Sequence, residues 1–227
     1  QPLYTGEDIV ISGADFTDTN IDVSNAIYDE FEGVKNVLLF KLESKEQENA
    51  GTNIGVNAEN AYVSYIVDVP ESGLYTIRAL YYPVASDPRL PVEGRGAQIE
   101  RSLYIDGEIP FAEASYITFT RRWKDAIKVG EVRDGAGNEM RPTQEEAPTW
   151  MTAYFNDARG HYSDPFLFYL TKGKHEIKLV ATKEPVLLGE LRLGSVESVP
   201  TYAEVKKQYE ANGYQPAPAG SYVKIEA

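Results

Sequence analysis

Short segments rich in β-branched and aromatic residues, several with alternating apolar and polar positions, recur along the first 195 residues. This pattern is typical of β-strands, because successive side chains of a strand point to opposite faces of a sheet. Turn residues, such as those at 70–73, 106–107 and 172–174, separate the segments. Eight or nine short strands joined by turns predict an all-β fold, an antiparallel β-sandwich or jelly roll. The predicted strands cover 8–12, 34–42, 62–69, 74–82, 98–105, 115–120, 166–170, 175–181 and 186–193.

One helix is predicted after the strands. Thr201 and Glu204 have the spacing of a capping box, and an apolar stripe of Tyr202, Val205 and Tyr209 follows at helical spacing. We therefore expect a sandwich domain over 1–199, a helix over 200–214 and a stiff Pro- and Ala-rich linker over 215–220. Segment 221–227 has the pattern of a strand and is expected to be the truncated start of a downstream domain.

The segment from 120 to 164 follows neither the strand period nor the helix period. It contains both tryptophans, both methionines and five of the ten arginines. A long irregular insertion in a compact domain is uncommon and is often functional. The alternative interpretation is a lid that covers one open face of the sandwich and uses the tryptophans as its own small core.

The composition narrows the class of partner. The 227 residues carry 22 basic and 35 acidic side chains, a formal net charge of −13, which argues against nucleic acid and anionic membranes as partners. The charge is uneven, because residues 1–60 hold 12 acids and three lysines. No apolar run approaches the roughly 18 residues that a membrane helix needs. The absence of cysteine excludes disulfides and thiolate chemistry.

Several segments resemble a known family. Residues 61–77 are similar to the central hairpin of galactose-binding-like sandwiches such as family 6 and family 35 carbohydrate-binding modules, and 168–179 resemble their penultimate strand pair. The tail 223–227 resembles their opening strand. Segments 119–125, 134–142 and 162–166 are similar to the N-terminal region of large bacterial extracellular solute-binding lipoproteins of ABC transporters. The resemblance implies a β-sandwich whose loops, and sometimes its concave face, hold sugars, often with a structural calcium ion.

Sugar recognition needs flat aromatic surface for the apolar face of a pyranose and polar side chains for its hydroxyls. Tyr81 and Tyr82 are adjacent on a strand, so one of them must face inward. The candidate platform residues are Trp123, Trp150, Tyr154, Tyr81 and Tyr82, and the candidate polar contacts are Arg121, Arg122, Asp125, Asn138 and Asp157.

A calcium ion is the one candidate cofactor. If the strands pair as in the family, Asp15, Asp18 and Glu190 would meet at the sandwich edge and offer the oxygen ligands that Ca²⁺ prefers. Otherwise these acids form a solvated face.

The sequence predicts no enzyme. Neither His161 nor His175 has a serine in an elbow motif nearby, and the glycine-rich stretch 134–138 lacks the lysine and helix of a phosphate loop. We therefore expect a non-catalytic carbohydrate-binding module of a bacterial cell-surface solute-binding or glycan-capturing protein. The alternatives are a spacer or protein-interaction sandwich that packs on downstream domains of the same chain, and an acidic glycoside hydrolase.

Overall fold

Residues 1–50, 59–128, 130, 132–195 and 200–215 are described in the computed structural model of the chain. The chain divides into two units, Gln1–Ser195 and Val196–Ala227. The segment 221–227, and the linker 215–220 apart from Gln215, lie outside the described residues.

Strands dominate the first unit, as the alternating pattern predicts. A short helix α1 (Lys45–Ala50) follows the fourth strand, and 3₁₀ turns occupy Val23–Asn25 and Ala112–Ser115. The strands are β1 (Ile9–Ser12), β2 (Asp18–Thr19), β3 (Ile27–Phe31), β4 (Val34–Phe40), β5 (Tyr62–Val69), β6 (Gly73–Pro83), β7 (Ile99–Ile105), β8 (Ile117–Phe119), β9 (Trp123–Asp125), β10 (Gln144–Glu146), β11 (Met151–Tyr154), β12 (Phe168–Leu170), β13 (Gly173–Lys183) and β14 (Val186–Gly194).

The strands form two large antiparallel sheets and one small one. The seven-stranded sheet has the order β11-β6-β14-β4-β3, with β1 paired to β14 and β12 paired to β6. The five-stranded sheet has the order β2-β5-β13-β7-β8, and β9 and β10 form a separate two-stranded sheet. The predicted antiparallel β-sandwich is thereby confirmed.

The core lies between the two large sheets and follows from strand alternation. On β5 the residues Val63, Tyr65, Val67 and Val69 are buried, and on β13 Ile177 and its neighbours at every second position are buried. The five-stranded sheet therefore keeps one polar face towards solvent. Most of β6 and β14 is buried instead on both faces, because other segments cover the outer face of the seven-stranded sheet.

Both tyrosines at the end of β6 belong to the packed interior, which corrects the prediction that they offer a sugar platform. Tyr81 faces inward, where its ring lies 4.8 Å from the ring of Phe119. Tyr82 faces the other way, but the rings of Phe31 and Trp150 cover it at 5.2 and 5.6 Å. The two side chains are only 1% and 8% exposed.

The segment 120–164 is less irregular than its sequence indicates. It contains β9 and β10, and also β11, which pairs with β6 at the edge of the seven-stranded sheet. These strands are three or four residues long, and β9 and β10 are mostly charged or amide side chains. Because so short a strand without apolar alternation leaves no pattern, the sequence could not reveal them.

The predicted C-terminal helix is confirmed as α2 (Tyr202–Ala211). The hydroxyl of Thr201 accepts a hydrogen bond from the backbone N–H of Glu204, and the Glu204 carboxylate accepts from the Thr201 N–H at 2.7 Å. This reciprocal capping box satisfies two of the donors that begin the helix. None of the described α2 residues is buried, and Tyr202 and Tyr209 are strongly exposed.

His175 joins two turns at one end of the five-stranded sheet. Its Nδ1 lies 2.6 Å from Oδ2 of Asp106, and its Nε2 lies 2.8 Å from the Thr171 carbonyl oxygen. Because both partners accept hydrogen bonds, the arrangement suits an imidazolium that carries both protons. Burial would lower the pKa of His175, but the hydrogen bonds to Asp106 and Thr171 outweigh it and raise this pKa above its usual value.

Replacement of His175 by Gln should reduce stability more at acidic than at alkaline pH. A raised pKa in the folded state means that the stabilisation is complete below the unfolded value of about 6.5 and disappears as pH rises through the folded value. Denaturant titrations of the wild type and His175→Gln at pH 5 and pH 8.5 measure this difference. Asp106→Asn, which keeps a residue that tolerates positive φ at this turn, should show the same trend. A stability loss that is equal at both pH values would contradict the assignment.

Candidate functional site

A buried arginine fixes one end of the sandwich. The side chain of Arg121 is only 3% exposed, and its guanidinium donates to the carbonyl oxygens of Val84 at 2.8 Å and Ala97 at 2.5 Å. It also donates to the carboxylates of Glu184, at 2.7 Å, and Glu146. Arg121, a predicted sugar contact, is therefore committed to internal acceptors and is not available to a ligand.

Glu184 connects this arginine to the turn between β13 and β14. Its carboxylate is 6% exposed and also accepts from the backbone N–H of Arg95 at 2.7 Å. Its backbone has a φ of 60°, and its carbonyl oxygen accepts from the fully buried Arg101 at 2.9 Å. Burial lowers the pKa of Arg101 to about 9. Glu184 thus holds the β13–β14 turn against Arg121 and the stretch 95–101, which lie 63 to 89 residues away in sequence.

The two-stranded sheet carries an exposed aromatic surface next to this network. In its register Trp123 pairs with Glu146, and Asp125 pairs with Gln144. Cross-strand partners and alternate residues share a face, so Trp123, Asp125 and Gln144 lie together. The Trp123 side chain is 46% exposed, and the amide of Gln144 donates to the Asp125 carboxylate.

Trp123 rests on a glycine. Gly96 has a φ of +74°, and a methyl group in place of its hydrogen would lie 3.4 Å from Cη2 of Trp123. One edge of the indole is therefore in contact with the loop 84–97 while much of the ring faces solvent. A groove of about 430 Å³ begins at Asp125 and is lined by Asp125, Glu139, Met140, Arg141 and Pro142.

Trp150 has a structural role, which corrects its prediction as a platform residue. Its indole N–H donates to the Phe31 carbonyl oxygen at 3.0 Å, and its ring packs at an angle against Tyr82. The guanidinium carbon of Arg78 lies 5.6 Å from the ring centroid of Tyr154 and covers that ring. Neither Trp150 nor Tyr154 joins the surface that carries Trp123.

The remaining predicted polar contacts are divided between turns and surface. Asp157 is buried, and its carboxylate accepts from the backbone N–H groups of Arg159, His161 and Tyr162, which hold its pKa below the usual range. Asn138 donates to Asp134 within an exposed turn. The exposed Arg122 contributes its carbonyl oxygen to the end of the two-stranded sheet. Asp157 is therefore a turn-forming residue and not a ligand contact.

The predicted calcium ligands do not meet. Asp18 lies in the five-stranded sheet, where it accepts from the Tyr62 hydroxyl, and Glu190 lies in the seven-stranded sheet, where it pairs with Arg192. Asp15 is exposed in the segment between β1 and β2. In the ranges that the structure describes, His, Cys, Asp and Glu side chains form no group of three or more that could hold a metal ion.

A second groove, the sheet-face groove, was missed by the sequence reasoning. It crosses the outer face of the five-stranded sheet, has a volume of about 340 Å³ and contains two half-buried tyrosines. The ammonium of Lys178 lies 3.7 Å from the ring centroid of Tyr62, and Glu176 accepts from Ser64 at 2.7 Å. The alternation on β5 and β13 already placed these side chains outward, so the signal was present. The lining residues are Glu59, Asn60, Tyr62, Tyr104, Gly107, Glu176, Lys178 and Val180.

The phenol of Tyr62 is held as a hydrogen-bond donor. Its hydroxyl donates to Asp18 at 2.9 Å, and this bond, together with burial, raises the pKa of Tyr62 to about 12. The ring is therefore neutral at physiological pH, but Lys178 covers one of its faces. Tyr104, which is also half-buried, is the second aromatic residue of this groove.

Solved structures similar to this chain include carbohydrate-binding modules of families 35 and 6, as the sequence resemblance predicts. A family 35 module of Cellvibrio japonicus Abf62 is 18% identical, with 84% of this chain and 95% of that chain covered and a TM-score of 0.44. The C-terminal family 6 module of a laminarinase from Zobellia galactanivorans is 10% identical, with 83% and 100% covered and a TM-score of 0.42. Because these TM-scores lie below 0.5, the fold assignment depends on the strand pairing itself.

An enzyme of Paenibacillus is also similar over one of its parts. It is a cycloisomaltooligosaccharide glucanotransferase complexed with cycloisomaltoheptaose, 16% identical, with a TM-score of 0.42 over 85% of this chain. This chain spans 19% of that enzyme's length. No protein-family model and no curated protein matches the sequence. Within the described residues, no helix is long and apolar enough to cross a membrane.

The two tryptophans should differ in their contributions to stability. Trp150→Ala removes a half-buried ring and its hydrogen bond, so we expect a loss of about 2–3 kcal/mol in the free energy of unfolding. Trp123→Ala removes a ring that is 46% exposed and should cost less than about 1 kcal/mol. Denaturant titrations followed by circular dichroism compare the two variants. Equal losses would show that Trp123 is a core residue.

Proposed function

We propose that the chain is a non-catalytic carbohydrate-binding module whose glycan stacks on Trp123. The observation that supports this best is Trp123, a residue that is 46% exposed yet held on a short sheet beside the polar side chains of Asp125 and Gln144. Aromatic surface suits the apolar face of a pyranose, and carboxylate, amide and guanidinium groups bind its hydroxyls.

The groove that includes Asp125, two residues after Trp123 on β9, supplies the polar part of the proposed site. Asp125 and Glu139 bring carboxylates and Arg141 brings a guanidinium, while Met140 adds exposed apolar surface. From 121 to 164 the chain carries seven basic and eight acidic residues, so the region is close to neutral. This balance favours an uncharged or mildly acidic glycan over a strongly charged ligand.

A binding role is favoured over hydrolysis by the way the nearby carboxylates are used. A glycosidase needs two carboxyl groups that flank the scissile bond, one as acid and one as base or nucleophile. Here Glu146 is held by Arg121, and Asp125 accepts from Gln144. We infer that the module concentrates polysaccharide at a bacterial cell surface, as part of a solute-binding or glycan-capturing protein.

A protein-contact role is a second candidate for the C-terminal unit. The rings of Tyr202, Tyr209 and Tyr214 on and after α2 are 83%, 57% and 65% exposed. Exposed aromatic side chains in one short segment are typical of contact surfaces. The proposed glycan site at Trp123 belongs to the first unit. The double variant Tyr202→Ser with Tyr209→Ser should therefore leave glycan binding unchanged.

Trp123→Ala should weaken glycan binding about five- to thirteenfold, since stacking on an aromatic ring contributes on the order of 1–1.5 kcal/mol. The measurement is isothermal titration with cellohexaose, mannohexaose, xylohexaose and laminarihexaose, after a glycan array has ranked a wider set. Trp150→Phe, which keeps an aromatic ring against Tyr82, is the matched control and should bind as the wild type does.

Three outcomes would contradict this assignment. If Trp123→Ala binds unchanged while Tyr104→Ala binds weakly, the glycan lies in the sheet-face groove and not at Trp123. If no glycan binds to the wild type, the carbohydrate-binding role itself is wrong. Release of reducing sugar from any of the four hexasaccharides would instead show hydrolysis.

A further inference from the structure

The two-stranded sheet that carries Trp123 needs an external anchor. Its strands are three residues each, and an isolated two-stranded sheet is marginally stable at best in water. Backbone hydrogen bonds close both of its ends, from Ala126 to the Thr143 carbonyl and from Ala147 to the Arg122 carbonyl. These bonds join β9 to β10, but they do not attach the pair to the sandwich.

Arg121 supplies the attachment. It lies two residues before Trp123, and its guanidinium reaches two carbonyl oxygens of the 84–97 loop and the carboxylate of Glu184 at the β13–β14 turn. Its remaining bond goes to Glu146, which is the cross-strand partner of Trp123. These bonds of Arg121 therefore attach both β9 and β10 to the sandwich at the position of the indole ring.

We propose that Arg121, Glu146 and Glu184 are positioning residues that fix the orientation of the Trp123 ring, and that Glu146 is the one specific to this task. The effect on binding rests on the proposed function. A ring that is held in place before the ligand arrives loses less entropy on association, so its orientation should strengthen binding. None of the three side chains needs to touch the glycan. Arg121 and Glu184 also connect other loops, whereas Glu146 belongs to β10.

The local packing supports the same role. The Trp123 ring lies next to Gly96, where an added methyl group would be 3.4 Å from Cη2. Gly96 directly precedes Ala97, whose carbonyl oxygen accepts from Arg121. Gly94 is more tightly confined, because a methyl group there would clash with the Val84 carbonyl oxygen and lie 3.1 Å from Nη2 of Arg121. The arginine and the surface on which the indole rests are thus parts of one packed unit.

The test compares neighbouring glutamates of β10. Glu146→Ala removes the carboxylate held by Arg121 and leaves Glu184 as its counter-ion, so the sandwich retains its buried pair. The matched control is Glu145→Ala, which removes only an exposed ion pair with Lys124 on the opposite face of the same sheet. Both variants carry Trp150→Phe, so that tryptophan fluorescence reports Trp123 alone.

Two measurements separate positioning from simple stability. Glu146→Ala should increase the acrylamide quenching of Trp123 and accelerate hydrogen exchange of the Ala126 and Ala147 amides about tenfold, under conditions where the fold remains intact. Glu145→Ala should leave both unchanged. Glu146→Gln keeps an oxygen acceptor for Arg121 and should restore both to the wild-type values. If Glu146→Ala lowers only the unfolding midpoint, with quenching and exchange equal to those of Glu145→Ala, the proposal is overturned.

Binding of the same hexasaccharides distinguishes this proposal from the proposed function. Where the wild type binds, Glu146→Ala should weaken binding several-fold and Glu145→Ala should not, although neither alters the Trp123 ring. Equal affinities of the two variants would overturn positioning and leave the binding function standing. If the wild type binds none of them, the binding function fails, and quenching and exchange still decide whether Glu146 orders the ring.

Discussion

The buried charge of Arg121 is the constraint on which this end of the molecule depends. A guanidinium taken out of water is costly unless charged and polar partners surround it, and removing one partner of such a pair typically costs about 3–5 kcal/mol. Here the partners come from the 84–97 loop, from β10 and from the turn between β13 and β14. One side chain therefore determines how three otherwise independent segments lie against each other.

The sandwich explains why the loop region is free to carry a site. Most of the large apolar side chains are buried between the two facing sheets. Even Tyr82, on the outer side of β6, is covered by Phe31 and Trp150. Trp123 differs because, among the strands that the structure describes, its strand is paired only to β10 and lies outside both large sheets. The Trp123 ring is not part of the core, and the buried ion network of Arg121 holds its segment in place. The ring is therefore both exposed and rigidly held.

Most of the fold could be predicted from local pattern, and much of the site could not. Alternation on β5, β6 and β13 located those strands, and the Thr201–Glu204 pair located α2, because these signals lie within a few residues of each other. The burial of Arg121 depends on Glu184, 63 residues away, and no local pattern records such a partner. Nothing in the sequence distinguishes exposed Trp123 from half-buried Trp150. Their roles differ through tertiary contacts, since Trp150 donates to the Phe31 carbonyl and packs against Tyr82, whereas Trp123 lies on the two-stranded sheet.

If a glycan stacks on Trp123 while Tyr81, Tyr82 and Trp150 stay packed against the core, the two tryptophans must respond differently to ligand. The most direct test is the ¹H–¹⁵N spectrum of the two indole N–H groups during titration with a hexasaccharide that binds. The Trp123 signal should shift progressively with ligand, and the Trp150 signal, whose N–H is bonded to the Phe31 carbonyl, should not move. Saturable binding with no change in the Trp123 signal would contradict stacking on Trp123.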